Sequence, residues 1–97
     1  MSAPLTLKIV TPEGMDQTFE CDSVALWMAP DSKGKGKGSI GIRKGHAEAV
    51  IALGNGPLEA RLSGSTVFSG FSEGGFATVR SDIITVVTPH LNNSGIV

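Results

Sequence analysis

Cysteine is nearly absent from the chain. Cys21 is the only one in 97 residues, so no internal disulfide and no cysteine-rich zinc site can form. The fold therefore does not depend on an oxidising compartment. Excess positive charge is absent too. Eight Lys and Arg stand against nine Asp and Glu, a formal net charge of −1. That argues against nucleic acid as the main partner, because phosphate binding needs a basic footprint. No stretch approaches the roughly 20 apolar residues of a membrane-spanning helix. The opening MSAPLTLKIV has neither a basic start nor the long apolar run of a signal peptide. Together these absences predict a soluble intracellular protein.

Hydrophobic residues make up 40% of the chain, enough for one modest core, and thirteen glycines with five prolines suit a turn-rich β protein better than a helical one. The dominant periodicity is two. Leu5, Leu7 and Ile9 alternate with Thr6 and Lys8, the pattern of a half-buried strand, and Thr11-Pro12-Glu13-Gly14 punctuates it as a turn. Phe19 and Cys21 share one parity, whereas Val24, Leu26 and Met28 take the other. The change near Asp22-Ser23 predicts a bulge or a break between two pairings. Asp16, Glu20 and Asp22 read as a solvated strand face. Short strands are expected in SIGI, AEAVIAL, LEARL and STVFSGF. A closing hairpin is expected in GGFATVR and DIITVVT, with Arg80-Ser81-Asp82 as its turn. Seven to ten such strands at roughly ten-residue spacing indicate an all-β sandwich or barrel. The expected organisation is one domain over residues 1–90 and a loose tail over 91–97.

The run DSKGKGKGS has the composition of a loop. Its Gly-Lys pairs are each followed by Gly, so the phosphate-loop motif fails. Gly36, Gly38 and Gly41 fit G-x-G-x-x-G, but no helix follows to supply the field a pyrophosphate needs. Lys33, Lys35 and Lys37 remain available to an acidic partner. His46 and Glu48, two residues apart, would share a face if this segment were a strand. No nucleophile elbow accompanies them, and His46, His90 and scattered carboxylates make no metal site. Trp27 and Met28 end a strand, facing either core or partner. No catalytic residue, metal or cofactor is expected.

Three segments in fixed order carry a resemblance. LKIVTPEG at Leu7–Gly14, GIRKGHAEAVIAL at Gly41–Leu53 and GGFATVRSDIITVVT at Gly74–Thr88 resemble, in order and spacing, the epsilon subunit of rotary F-type ATP synthases. The resemblance spans about residues 5 to 88. It implies a sandwich of about ten strands with flattened-barrel character. It also implies a non-catalytic rotor subunit on the central stalk, linking the gamma subunit to the membrane c-ring beneath the alpha/beta head. Such a subunit couples proton or sodium transport to ATP synthesis and sits peripherally on the cytoplasmic face of the inner membrane. Carried over residue by residue, Thr11, His46 and Ile51 would face gamma, while Ser39, Ile42, Arg43 and His46 would approach the c-ring. Lys44 and Glu48 stand where the family usually has proline, and Lys33, Lys35 and Lys37 replace its acidic loop. The family's C-terminal helical hairpin has no counterpart after Thr88, so ATP binding is not expected. The alternatives are a small anion- or carbohydrate-binding sandwich using loop 32–39, and an enzyme using His46 and Glu48.

Overall fold

The computed structural model of the chain describes residues 4–12, 14, 16–30, 38–89 and 91–93. They form ten strands: β1 Leu5–Val10, β2 Gln17–Cys21, β3 Ser23–Met28, β4 Gly38–Arg43, β5 Ala49–Ala52, β6 Asn55–Leu62, β7 Ser65–Glu73, β8 Phe76–Arg80, β9 Ile83–Val87 and β10 Leu91–Asn93. There is no helix among the described residues. Two five-stranded sheets result, ordered β2-β1-β9-β8-β5 and β10-β7-β6-β3-β4. All strand pairs are antiparallel except β1 with β9, which run parallel across most of the chain. The architecture is a sandwich and not a closed barrel: each sheet keeps its own edges, and a bridge between Met28 and Leu53 joins them at one corner.

The period-two patterns become the two inner faces. Leu5, Leu7 and Ile9 of β1 and Ile84 and Val86 of β9 are buried from one sheet. Val24 and Leu26 of β3, Ile42 of β4 and Leu58 and Ala60 of β6 meet them from the other. Fully buried aliphatics of this kind cost about 2–5 kcal/mol when cut back to alanine. Phe19 and Phe68 cross the interior with ring centroids 5.0 Å apart in a tilted arrangement.

The parity change at Asp22-Ser23 is a break between two pairings. β2 pairs with β1 in the first sheet, and β3 pairs with β4 and β6 in the second. Asp22 is the joint. Its N–H donates to the Arg61 carbonyl at 2.8 Å, and its Oδ2 accepts the Ser63 N–H at 2.8 Å. Ser63 has φ 53, so the carboxylate holds a strained turn residue in place. Asp22 is therefore not part of a solvated row with Asp16 and Glu20. A short polar side chain at a sheet switch finds backbone donors before it finds water.

The chain crosses back at Gly74-Gly75. Gly75 has φ +96, and a Cβ there would meet the Val87 carbonyl oxygen at 2.1 Å, so only glycine fits. The β8–β9 hairpin closes through Ser81 and Asp82, with φ 50 and 61. Two left-handed residues in a two-residue loop match the right-handed twist of the strands. One expectation fails at the end of the chain. Leu91–Asn93 is not loose but adds β10 to the edge of β7, with Leu91 opposite Ser72. Three backbone pairings hold this segment without any apolar alternation for the sequence to display. The Lys33, Lys35 and Lys37 loop lies outside the described residues.

Candidate interaction surface

The outer face of the first sheet is unusually apolar for a solvent face. Reading across β5, β8, β9 and β1, one row is Ala52, Phe76, Val87 and Val10. The next is Val50, Thr78, Thr85 and Lys8, and the last, across β8, β9 and β1, is Arg80, Ile83 and Thr6. Val50 is 76% exposed, Phe76 44% and Ile83 42%. At one end, Val10, Thr11, Pro12, Phe76, Val87 and Pro89 line a shallow, largely apolar groove. Its floor is local. Thr11 accepts the Gly14 N–H at 3.0 Å, closing the expected turn, and Thr88 donates to the Val10 carbonyl at 3.3 Å.

At the other end lies the connection from β4 to β5. The His46 N–H donates to the Arg43 carbonyl at 3.1 Å, a tight turn with Gly45 at φ +84. His46 and Glu48 therefore do not lie on a strand, as the sequence suggested. Gly45 and the break in pairing place them in a bend. His46 Nδ1 donates to the Ala47 carbonyl at 2.8 Å, while Glu48 faces Arg80 at 3.7 Å with both side chains well exposed. Neither is arranged to activate a nucleophile. Among the described residues no group of three or more His, Cys, Asp or Glu could hold a metal ion, and no helix is long and apolar enough to cross a membrane.

The residues expected at an interface are placed unequally. Thr11, half-buried, lines the groove. His46 sits at the opposite end of the same sheet, beyond the start of β5. Ile51 does not face outward: it is 8% exposed and belongs to the core. The outward residue of β5 is its neighbour Val50, because a one-residue step on a strand reverses the face. Ile42 is likewise fully buried, which removes it from any contact surface. Ser39 and Arg43 point outward from the edge strand β4. Ser39 stands opposite Trp27, which is 36% exposed. Four strand steps of about 3.3 Å separate Ser39 from Arg43. His46 lies beyond Arg43, so Ser39 and His46 stand at opposite ends of β4.

Sequence reading missed Val50, Phe76 and Asp82. The outward parity of β5 and β8 could have flagged the first two. Asp82 acts at a distance of 37 residues, where no local pattern points. Cys21, buried at the end of β2, is no nucleophile. Burial, and then the neighbouring Asp22 carboxylate, push its thiol up to about 11.

Residues 4–92 match the family model for the ATP synthase delta/epsilon chain β-sandwich domain. The chain is 36% identical over 81 residues to an ATP synthase epsilon chain of Rhodopirellula baltica, covering 82% of this chain and 56% of that one. It is 33% identical over 84 residues to an ATP synthase epsilon chain of a Nostoc species, covering 86% and 56%. It thus spans little more than half the length of these relatives. Two solved structures share the fold. One chain belongs to the Euglena gracilis mitochondrial ATP synthase, described as OSCP/F1/c-ring in rotational state 1, with TM-score 0.73, 20% identity and coverage of 96% and 55%. The other belongs to the central stalk/c-ring of the Tetrahymena thermophila mitochondrial ATP synthase, with TM-score 0.69, 14% identity and coverage of 95% and 68%.

Proposed function

Because the chain belongs to the ATP synthase delta/epsilon chain family, we propose that it serves as a non-catalytic rotor part of an F-type ATP synthase, held by gamma on one face and meeting the c-ring near β4. In this role it carries torque between the ion-driven ring and the catalytic head. It turns over no substrate. It sits peripherally at the cytoplasmic side of the membrane, through its partners.

One observation supports the gamma contact above the others. Thr11 and His46 mark the two ends of the outer face of the first sheet, and between them lie Val50, Phe76, Ile83 and Val87. A face that exposes large apolar side chains on an otherwise well-packed sandwich is suited to a protein partner. A ten-stranded sandwich with a filled core also suits load transfer, since packed interiors deform little. Ser39 and Arg43, outward on the edge strand, are the residues left to meet the polar loops of the ring.

The test is capture by gamma. Co-expressed with gamma and c-ring from the same operon, the chain should co-purify with both. Val50→Asp should abolish retention by gamma while leaving the unfolding midpoint near wild type, because Val50 is 76% exposed. Failure of the wild-type chain to bind gamma would overturn the reading.

A further inference from the structure

Asp82 ties its own hairpin to two other segments at once. Its Oδ1 accepts the Gly45 N–H at 2.8 Å, across 37 residues of sequence. Its backbone carbonyl accepts the Thr6 N–H at 3.0 Å. Its own φ of 61 lies in the left-handed region, which Asp and Asn tolerate better than most residues. The turn hydrogen bond of the β4–β5 connection uses the Arg43 carbonyl and the His46 N–H. That leaves the Gly45 N–H pointing out of the turn, and the carboxylate of the β8–β9 hairpin captures it.

We propose that Asp82 is the positioning residue for the His46 contact, fixing the 44–48 connection against the first sheet. This rests on the gamma-docking reading above. Besides this bond, the connection is held by its own His46–Arg43 turn, at its two ends, and by the exposed Glu48–Arg80 pair at 3.7 Å. An exposed pair of that length contributes little. A hydrogen bond to an ionised carboxylate is about twice as strong as a neutral one and is directional. Asp82 thus makes the connection part of the sheet that carries the rest of the contact face. Force applied at His46 passes into β8, β9 and β1 rather than bending a loop.

Two substitutions separate the carboxylate from the backbone. Asp82→Gly keeps the left-handed conformation accessible and removes the acceptor. Asp82→Asn keeps both the conformation and an acceptor oxygen. In the full chain, labelled for NMR, Asp82→Gly should raise amide exchange at Gly45 by roughly tenfold or more, with smaller changes elsewhere in the sheets. It should shift the His46 ring resonances and weaken binding to gamma by roughly tenfold. Asp82→Asn should restore all three towards wild type. An unchanged Gly45 exchange rate in Asp82→Gly would overturn the proposal. Faster exchange with undiminished gamma binding would also overturn it, provided Val50→Asp still abolishes that binding. If Val50→Asp leaves binding intact, the docking reading itself has failed, and the role assigned to Asp82 at gamma fails with it.

Discussion

The two outer faces of the sandwich share one core but differ in what they show to solvent. Between Thr11 and His46 the first sheet exposes Val50, Phe76, Ile83, Val87 and Val10, with Thr78, Thr85 and Lys8 set in the row among them. The second sheet exposes fewer large apolar residues, Trp27 on β3 and Phe71 on β7. Phe71 is 49% exposed, but Glu59 and Arg61 form a surface ion pair at 2.8 Å on the strand beside it. Burial on the inner side demanded the same alternation of both sheets, so the inner faces say nothing about partners. The outer faces are under no such demand, and a field of apolar side chains there calls for a partner to cover it.

The largest effect should come from the hinge that holds the two faces in register. Gly75→Ala places a methyl group against the Val87 carbonyl and fixes an L residue at φ +96. A loss of about 3 kcal/mol in urea unfolding is expected, because backbone strain and overpacking act together. A loss below about 1 kcal/mol would mean that the crossing relaxes and the faces are not rigidly related.

A pair of matched substitutions separates the two faces most directly. Phe76 and Phe71 are 44% and 49% exposed, one on each outer face. Phe76→Asp should weaken gamma binding by about 2 kcal/mol or more, the scale of an interface hot spot. Phe71→Asp should cost similar stability but leave gamma affinity unchanged. Equal effects of the two on binding would remove the distinction between the faces.

Cys21 probes the shared interior. Its thiol rises from an ordinary value of 9.0 to about 11 on folding, so the folded chain holds this proton more tightly than the unfolded chain. The resulting stabilisation is complete below pH 9 and is lost as pH climbs through 11. Urea midpoints measured from pH 8 to pH 11 should fall more steeply for wild type than for Cys21→Ala. Parallel slopes would mean that the thiol is not desolvated. The smallest effect belongs to the second sheet's surface. Glu59→Gln, at an exposed ion pair, should change stability by less than about 0.5 kcal/mol.

Much of the fold was legible because burial on one side of a strand imposes period two. Leu5, Leu7 and Ile9 declared β1, and the changed parity at Asp22-Ser23 marked a bulge or break, which is the switch between sheets. The hairpin at Ser81-Asp82 was legible from its turn residues. The outward face of the first sheet was legible only in outline. Family resemblance assigned Thr11, His46 and Ile51 to a gamma contact and Ile42 to a ring contact; Thr11 and His46 lie at the two ends of the first sheet's outer face, while Ile51 and Ile42 face inward. A motif match assigns a position in the chain, while register decides which way that position points. β10 was missed because three residues pairing at an edge leave no pattern of their own.

The sequence by itself determined the class, most of the strands and most of the core, because these follow from local alternation and from glycine where no side chain fits. Only the tertiary structure decided which outward residues come together. The parallel pairing of β1 with β9, the row from Ala52 to Val10 and the bond from Asp82 to Gly45 each join segments more than thirty residues apart. Such contacts arise from how the sheets close on each other, and no local spacing encodes them.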